Sequence, residues 1–297
     1  MSIFVVAGAT GNIGSVVAHE LLTAGHKVRA IVRSADKAKS LATRGAELLI
    51  GELSDVGFLT RTLRGADGAF LMQPPPPPDS PDVRAFQDRV TQAEAATVTE
   101  SGIRHVVMLS SCGAEKPAGT GPVVGLHVLE EALKKTGAII TILRAGSFTE
   151  NLLIMLPAAQ HQSVLPNFFP PELKLASIAT RDIAAVAVRS LLSPPAVTQI
   201  VYVLGTHETS AVDQAAYLSK KLGKEVKLVN VPLSGVSKAI QQGGMGASMA
   251  NLLQEMYEGA AKGLLGVEPG HRIEKGTTTL EQALDPQFRE MKQQHSP

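Results

Sequence analysis

An α/β fold, a Rossmann-type doubly wound parallel sheet with a smaller C-terminal lobe, is predicted by three features of the sequence. Apolar, β-branched runs of strand length alternate with helical patterns through the first half. The first run leads straight into Gly8-Ala9-Thr10-Gly11-Asn12-Ile13-Gly14, which opens a helix. The chain has 297 residues, enough for one large α/β domain or a domain with a lobe.

Each element has its own signal. Ile3 to Ala7 reads as a buried strand, and Ser15 to Ala24 as a helix stopped by Gly25. Lys27 to Val32, Leu48 to Ile50 and Ala69 to Met72 read as the next three strands. Val83, Phe86, Val90 and Ala93 recur at helical spacing, and Gly102 closes that helix. His105 to Leu109 is a fifth strand, Leu126 to Lys135 a helix ended by Gly137, and Ile139 to Leu143 a sixth strand. Right-handed crossovers between parallel strands put helices on both faces. Residues 1–150 are read as the dinucleotide-binding domain and 151–297 as a substrate-binding lobe, with 178–205 returning to the sheet. In that second part Pro157, Pro166, Pro170 and Pro171 break the chain into short pieces. Asp182 is placed as the cap of a helix to Leu192. Ile200 to Leu204 and Val226 to Val231 read as strands. Helices are expected at Ser210 to Leu222, around Met249 to Tyr257 and from Thr279 onward, the last with a Thr278/Glu281 capping box. Pro74 to Pro78 reads as a stiff polyproline connection after the fourth strand.

Composition narrows the class. Hydrophobic residues are 44% and charged residues 19%, ordinary for a globular enzyme. A net charge of +1 gives no general attraction to nucleic acid or to an anionic membrane surface. Cys112 is the only cysteine, which excludes an internal disulfide and a cysteine-built zinc site; no metal is expected. No apolar stretch is long enough to span a membrane. The first apolar run lacks a basic flank, so a cytoplasmic protein is expected. A homodimer is left open.

The glycine segment carries the first chemical reading. Gly8 permits a tight turn, Gly11 bares the backbone to a pyrophosphate, and Gly14 lets helix and strand pack closely. Amides at the helix start, with the dipole behind them, make an anion site. At the end of the second strand, where a carboxylate would bond the ribose 2′-hydroxyl of NAD, stand Arg33 and Ser34, with Lys37 nearby. A guanidinium suits a 2′-phosphate, so NADP(H) is favoured over NAD(H).

Gly8 to Gly14, Arg33, His105-Val106-Val107-Met108-Leu109-Ser110-Ser111 and Leu143-Arg144-Ala145-Gly146-Ser147-Phe148-Thr149-Glu150-Asn151 together resemble the NmrA-like family of atypical short-chain dehydrogenase/reductases. Ile178 to Ala184 and Val201 to Gly205 extend the likeness, which reaches about residue 285. The resemblance implies NADPH-dependent quinone reductases, triphenylmethane reductases, phenolic-product reductases or regulators that sense the cofactor. It implies that Thr10, Gly11, Asn12, Ile13 and Arg33 hold phosphates and adenosine. Met72, Gln73 and Pro74 would border the nicotinamide half, and Ser147 and Phe148 its other side.

The Tyr-x-x-x-Lys pair of typical short-chain dehydrogenases has no counterpart in Leu126 to Glu131. His127 and Glu131 stand four apart on one helix face, which makes His127 the candidate proton donor. Ser111, with Ser110 beside it, is the candidate hydrogen-bond donor to a substrate carbonyl. Cys112 is read as a bystander. Phe168 and Phe169, flanked by prolines, and Met245, Met249, Leu252 and Met256 at helical spacing are candidates for a substrate wall. Gly243, Gly244 and Gly246 suggest a mobile lid. These readings point to hydride transfer onto a flat, apolar, quinone-like or conjugated carbonyl substrate. The alternative is a non-catalytic NADP(H)-binding redox sensor that regulates a partner protein.

Overall fold

The structure, a computed structural model, describes residues 1–294, with side chains described to residue 286 and at Phe288. The first half forms β1 (Ile3–Val6), α1 (Gly14–Thr23), β2 (Lys27–Val32), α2 (Lys39–Thr43), β3 (Glu47–Ile50), α3 (Val56–Leu63), β4 (Gly68–Met72), α4 (Val83–Ser101), β5 (His105–Ser111), α5 (Val123–Leu133) and β6 (Ile139–Ala145). The second half is more broken: β7 (Ser147–Phe148), α6 (Leu156–Gln162), β8 (Val164–Asn167), β9 (Leu175–Ile178), α7 (Thr180–Leu192), β10 (Gln199–Leu204) and β11 (Glu208–Thr209). It continues with α8 (Ala211–Leu222), β12 (Lys227–Asn230), α9 (Val236–Gln242), α10 (Ala247–Ala261), β13 (Arg272–Lys275) and α11 (Leu280–Gln294).

Eight parallel strands make one sheet in the order β13-β10-β6-β5-β4-β1-β2-β3. The order reverses between β1 and β4, so the crevice beyond their carboxyl ends is the topological switch point at which such sheets bind ligands. Alternation along the strands splits the core. Phe4, Val6, Val32, Leu143 and Val203 face α1 and α7, while Val5, Ile31, Leu71, Met108 and Ile142 face α3, α4 and α5. A third core, with Leu152, Leu156, Leu165, Tyr217, Leu218 and Phe288, holds the lobe. Among the described residues no helix is long and apolar enough to cross a membrane.

Several details differ from the sequence reading. Helix α3 lies where none was placed. Its Asp55 cap accepts from the Phe58 amide at 2.9 Å. Asp182 is not a cap, because α7 starts two residues earlier. Its first amide, Thr180, donates to Glu150, and Asp182 instead accepts from the amides of Thr277 and Thr278. The expected Thr278/Glu281 box is shifted by one: the Gln282 amide donates to Thr279 Oγ1, and the Thr279 amide to Gln282 Oε1. Strands β5 and β6 run two residues longer than expected. That extension brings Ser110 and Arg144 opposite each other in the sheet.

Candidate active site

The turn after β1 has the geometry its glycines require. Gly8 sits at φ +61°, and the Gly11 amide donates to the Gly8 carbonyl at 2.9 Å. A Cβ on Gly14 would collide with the Gly8 carbonyl oxygen, so helix and strand approach as closely as bare backbone allows. The amides of Asn12, Ile13 and Gly14 donate to no acceptor among the described residues. Thr10, Gly11 and Asn12 are exposed, whereas the Ile13 side chain is in the core. Partner-free amides where α1 begins are a donor set suited to a pyrophosphate.

Arg33 follows β2 and is exposed, with no hydrogen bond or ion pair to the described residues. Ser34 Oγ accepts from the Asp36 amide at 3.3 Å, and Asp36 is paired with Lys39 at 2.9 Å. The guanidinium is therefore left to a ligand, and its planar fork fits a phosphate monoester.

At the end of β4, Met72 packs against the first turn; a Cβ on Gly8 would lie 3.3 Å from Met72 Sδ. Gln73 Nε2 donates to Thr91 Oγ1 (3.0 Å) and the Gly125 carbonyl (3.1 Å), so the side chain joins α4 to α5. Gln73 Oε1 is buried and has no hydrogen-bond partner among the described residues. Pro74 opens the proline run, which has no regular structure and ends where the Gly246 amide donates to the Pro78 carbonyl at 2.9 Å. Gly246 has no room for a Cβ there, so this end of the expected lid is fastened.

The ends of β5, β6 and β10 carry a buried ionic network. Arg144, 2% exposed, donates to both oxygens of Glu130 at 2.8 and 3.1 Å, to Tyr202 Oη at 3.0 Å and to Glu268 Oε2 at 3.0 Å. Burial works against its charge, but the bonds and charge of Glu130 hold the guanidinium above its ordinary pKa. Ser110 Oγ donates to Glu130 at 2.5 Å, so its hydroxyl belongs to this network rather than to a ligand. Ser111 is on the opposite face of β5, partly buried, and donates to the Cys112 carbonyl at 3.0 Å. Burial pushes the Cys112 thiol up to about 12, which leaves it protonated.

His127 is partly buried on α5, and its Nδ1 donates to the Ala114 carbonyl at 2.9 Å, which leaves Nε2 as acceptor in the neutral ring. The expected His127–Glu131 bond does not form. Glu131 is taken by Lys134 at 2.7 Å, and that bond is the main cause of its lowered pKa. Ser147 and Phe148 form β7, the former exposed and the latter packed on the core.

The lobe contributes a helix and a loop. Helix α10 comes close to the loop after β5: a Cβ on Gly121 would strike the Leu252 carbonyl and Met256. Leu252 and Met256 themselves are only partly buried. Phe168 and Phe169 meet Tyr257 of α10, with ring centroids 5.3 and 4.5 Å apart. Sequence reasoning did not single out Tyr257. Its position next to Met256 on the expected helix was the only signal.

Comparison with known proteins agrees with this architecture. The profile of the NmrA-like family matches residues 2–293. An NAD(P)H azoreductase of Xenophilus azovorans is 33% identical over 256 residues, 85% of each chain. A (4-alkanoyl-5-oxo-2,5-dihydrofuran-3-yl)methyl phosphate reductase of Streptomyces griseus is 30% identical over 79% of each chain. Among solved structures, an Escherichia coli NADPH-dependent quinone oxidoreductase complexed with NADPH superimposes with a TM-score of 0.78 at 26% identity, covering 96% of this chain and 99% of the other.

Proposed function

The chain belongs to the NmrA-like family and is an NAD(P)H-dependent oxidoreductase of the atypical short-chain dehydrogenase type, and from that premise we propose that it uses NADPH to reduce a flat, apolar, quinone-like or conjugated carbonyl substrate. The observation that carries the reading is the combination of partner-free amides at the start of α1 with an unpaired Arg33 at the end of β2. The first suits a doubly charged linker and the second a 2′-phosphate.

When bound, the cofactor supplies hydride. The chain's residues supply position. Asn12, Ile13 and Gly14 amides hold the linker, and Arg33 the 2′-phosphate. Met72, Gln73 and Pro74 would border the nicotinamide half on one side, with Ser147 and Phe148 on the other. Ser111 is close to the same edge, and its hydroxyl would reach a substrate oxygen by turning away from the Cys112 carbonyl. His127, with Nδ1 held by Ala114, has Nε2 free to relay a proton. Acceptors with extended conjugation need little acid assistance, which fits a helix that lacks the Tyr-x-x-x-Lys pair. The names of the azoreductase and furanone reductase relatives support conjugated acceptors.

Loss of NADPH absorbance with a panel of quinones, azo dyes and conjugated ketones tests this reading. Turnover with at least one class is expected. Tight NADPH binding without turnover would favour the second reading, a cofactor-sensing regulator, for which the missing Tyr-x-x-x-Lys pair speaks.

A further inference from the structure

The chain has three tyrosines, and two have committed hydroxyls. Tyr202 Oη accepts from Arg144 at 3.0 Å and from the Glu268 amide at 3.1 Å. Tyr217 Oη donates to Asp285 at 2.9 Å. The Tyr257 hydroxyl makes no hydrogen bond to the described residues, although its ring is wedged against Phe168 and Phe169. A phenol with a mostly desolvated ring and an unused donor is costly unless water or a ligand completes it.

Its position gives that donor a purpose. Helix α10 is fixed at its start to the loop after β4: the Gly246 amide donates to Pro78, and the Val83 amide to Ser248 Oγ at 3.0 Å. Its later turns rest on the loop after β5. The Gly119 amide donates to Glu255 Oε1 at 2.9 Å, and a Cβ on Gly259 would strike the Gly119 carbonyl. Strands β4 and β5 are neighbours, and both loops leave their carboxyl ends, the edge where open parallel sheets bind ligands. Tyr257 thus belongs to a helix laid across that edge, while the loop after β8 brings the two phenylalanines to it.

Resting on the reductase reading above, we propose that the packed rings of Phe168, Phe169 and Tyr257 form a one-sided aromatic clamp against which the acceptor ring lies, with the Tyr257 hydroxyl donating a hydrogen bond to the acceptor oxygen as hydride arrives. The arriving electron pair places negative charge on that oxygen, and the bond strengthens as the charge grows. The clamp passes no proton. Burial pushes the Tyr257 phenol up to about 12, so it stays a donor at neutral pH, and the proton that completes the two-electron reduction comes from solvent by way of His127. Flat aromatic acceptors bearing an oxygen or nitrogen acceptor atom are the class this geometry selects.

Tyr257→Phe, Tyr257→Ala and Phe169→Leu test it, with menadione as the probe. NADPH affinity of each variant is measured first, and an unchanged value shows an intact fold and cofactor site. Tyr257→Phe is then expected to lower kcat/KM for menadione about 5- to 10-fold, as for one lost hydrogen bond. Tyr257→Ala and Phe169→Leu should mainly raise KM. Wild-type kcat/KM in all three variants overturns the clamp. Should the wild-type protein turn over no acceptor, the reductase reading fails, and calorimetric titration of menadione into the NADP⁺-loaded protein decides the clamp separately. Binding weakened by Tyr257→Ala supports it; no binding, or binding equal in both proteins, overturns it. If Tyr257→Ala does not fold, Tyr257→Phe and Phe169→Leu carry both arms.

Discussion

Arg144 and Glu130 face each other as a two-bond ion pair, 2.8 and 3.1 Å, with both side chains almost completely sealed from water. The pair joins the end of β6 to α5. Around it Ser110, Tyr202 and Glu268 fill the remaining donors and acceptors, and Glu115 approaches to 3.6 Å. Three carboxylates share one guanidinium, so removing the cation is worse than removing one anion.

Arg144→Leu is expected to destabilise the protein by about 3–5 kcal/mol, because it strands buried carboxylates. Glu130→Gln should cost less, since Glu268 and Glu115 still neutralise the arginine. Urea unfolding of both variants checks the order. Equal losses would mean that Glu268 and Glu115 compensate nothing.

Arg33→Ala should weaken NADPH roughly 10- to 100-fold and leave NADH nearly unchanged, as expected for a charge-assisted bond to phosphate. Side-by-side titrations measure it. Similar losses for both nucleotides would remove Arg33 from the 2′-phosphate.

Gly14→Ala should cost at least 1–3 kcal/mol and abolish cofactor binding, because the added methyl has no space against Gly8. The readouts are Tm and nucleotide affinity. Retention of both would show that helix and strand can separate without penalty.

Glu94 is fully buried on α4, and neither carboxyl oxygen has a partner. Burial raises its pKa well above the ordinary value. Below ~4.3, folded and unfolded chains both hold this proton, and the group leaves stability unaffected. As pH rises past that point the unfolded chain releases the proton and the folded one keeps it, so stability falls until the folded pKa is passed. Glu94→Gln should therefore match the wild type near pH 4 and exceed it increasingly toward pH 8. A pH-independent difference in Tm would contradict this.

Cys112 should resist alkylation at neutral pH in the native protein and react readily in urea, since its thiol is buried and pushed up to about 12. Rapid native labelling would show that the end of β5 opens to solvent.

The parts legible in the sequence were those with local causes. Gly8 and Gly14 have backbone requirements that their own spacing announces, and strands β1, β2, β4, β5 and β6 are apolar runs buried on both sides. Strand β13 was illegible for the opposite reason. Arg-Ile-Glu-Lys lies at the sheet's rim with Ile273 47% exposed, and only pairing with β10 makes it a strand. Helix α3 carries its one local signal in the Asp55 cap. Ser110 reads as a ligand donor only while β5 stops at Leu109; its register with Arg144 emerges because the strand runs on to Ser111. His127 and Glu131 satisfy helical spacing, but Lys134 outcompetes the histidine for the carboxylate. Tyr257 acquires its surroundings from Phe168 and Phe169, almost ninety residues away, and no local pattern encodes that.

The sheet also carries a timetable. Six strands, β1 to β6, precede residue 146, whereas the strand at one rim, β13, lies at residues 272–275. During synthesis the nucleotide half has every strand it needs before α10 leaves the ribosome. The roof over the crevice and the outermost plank of the floor therefore arrive together and late, and a chain stalled before them would display an assembled but open-topped nucleotide fold.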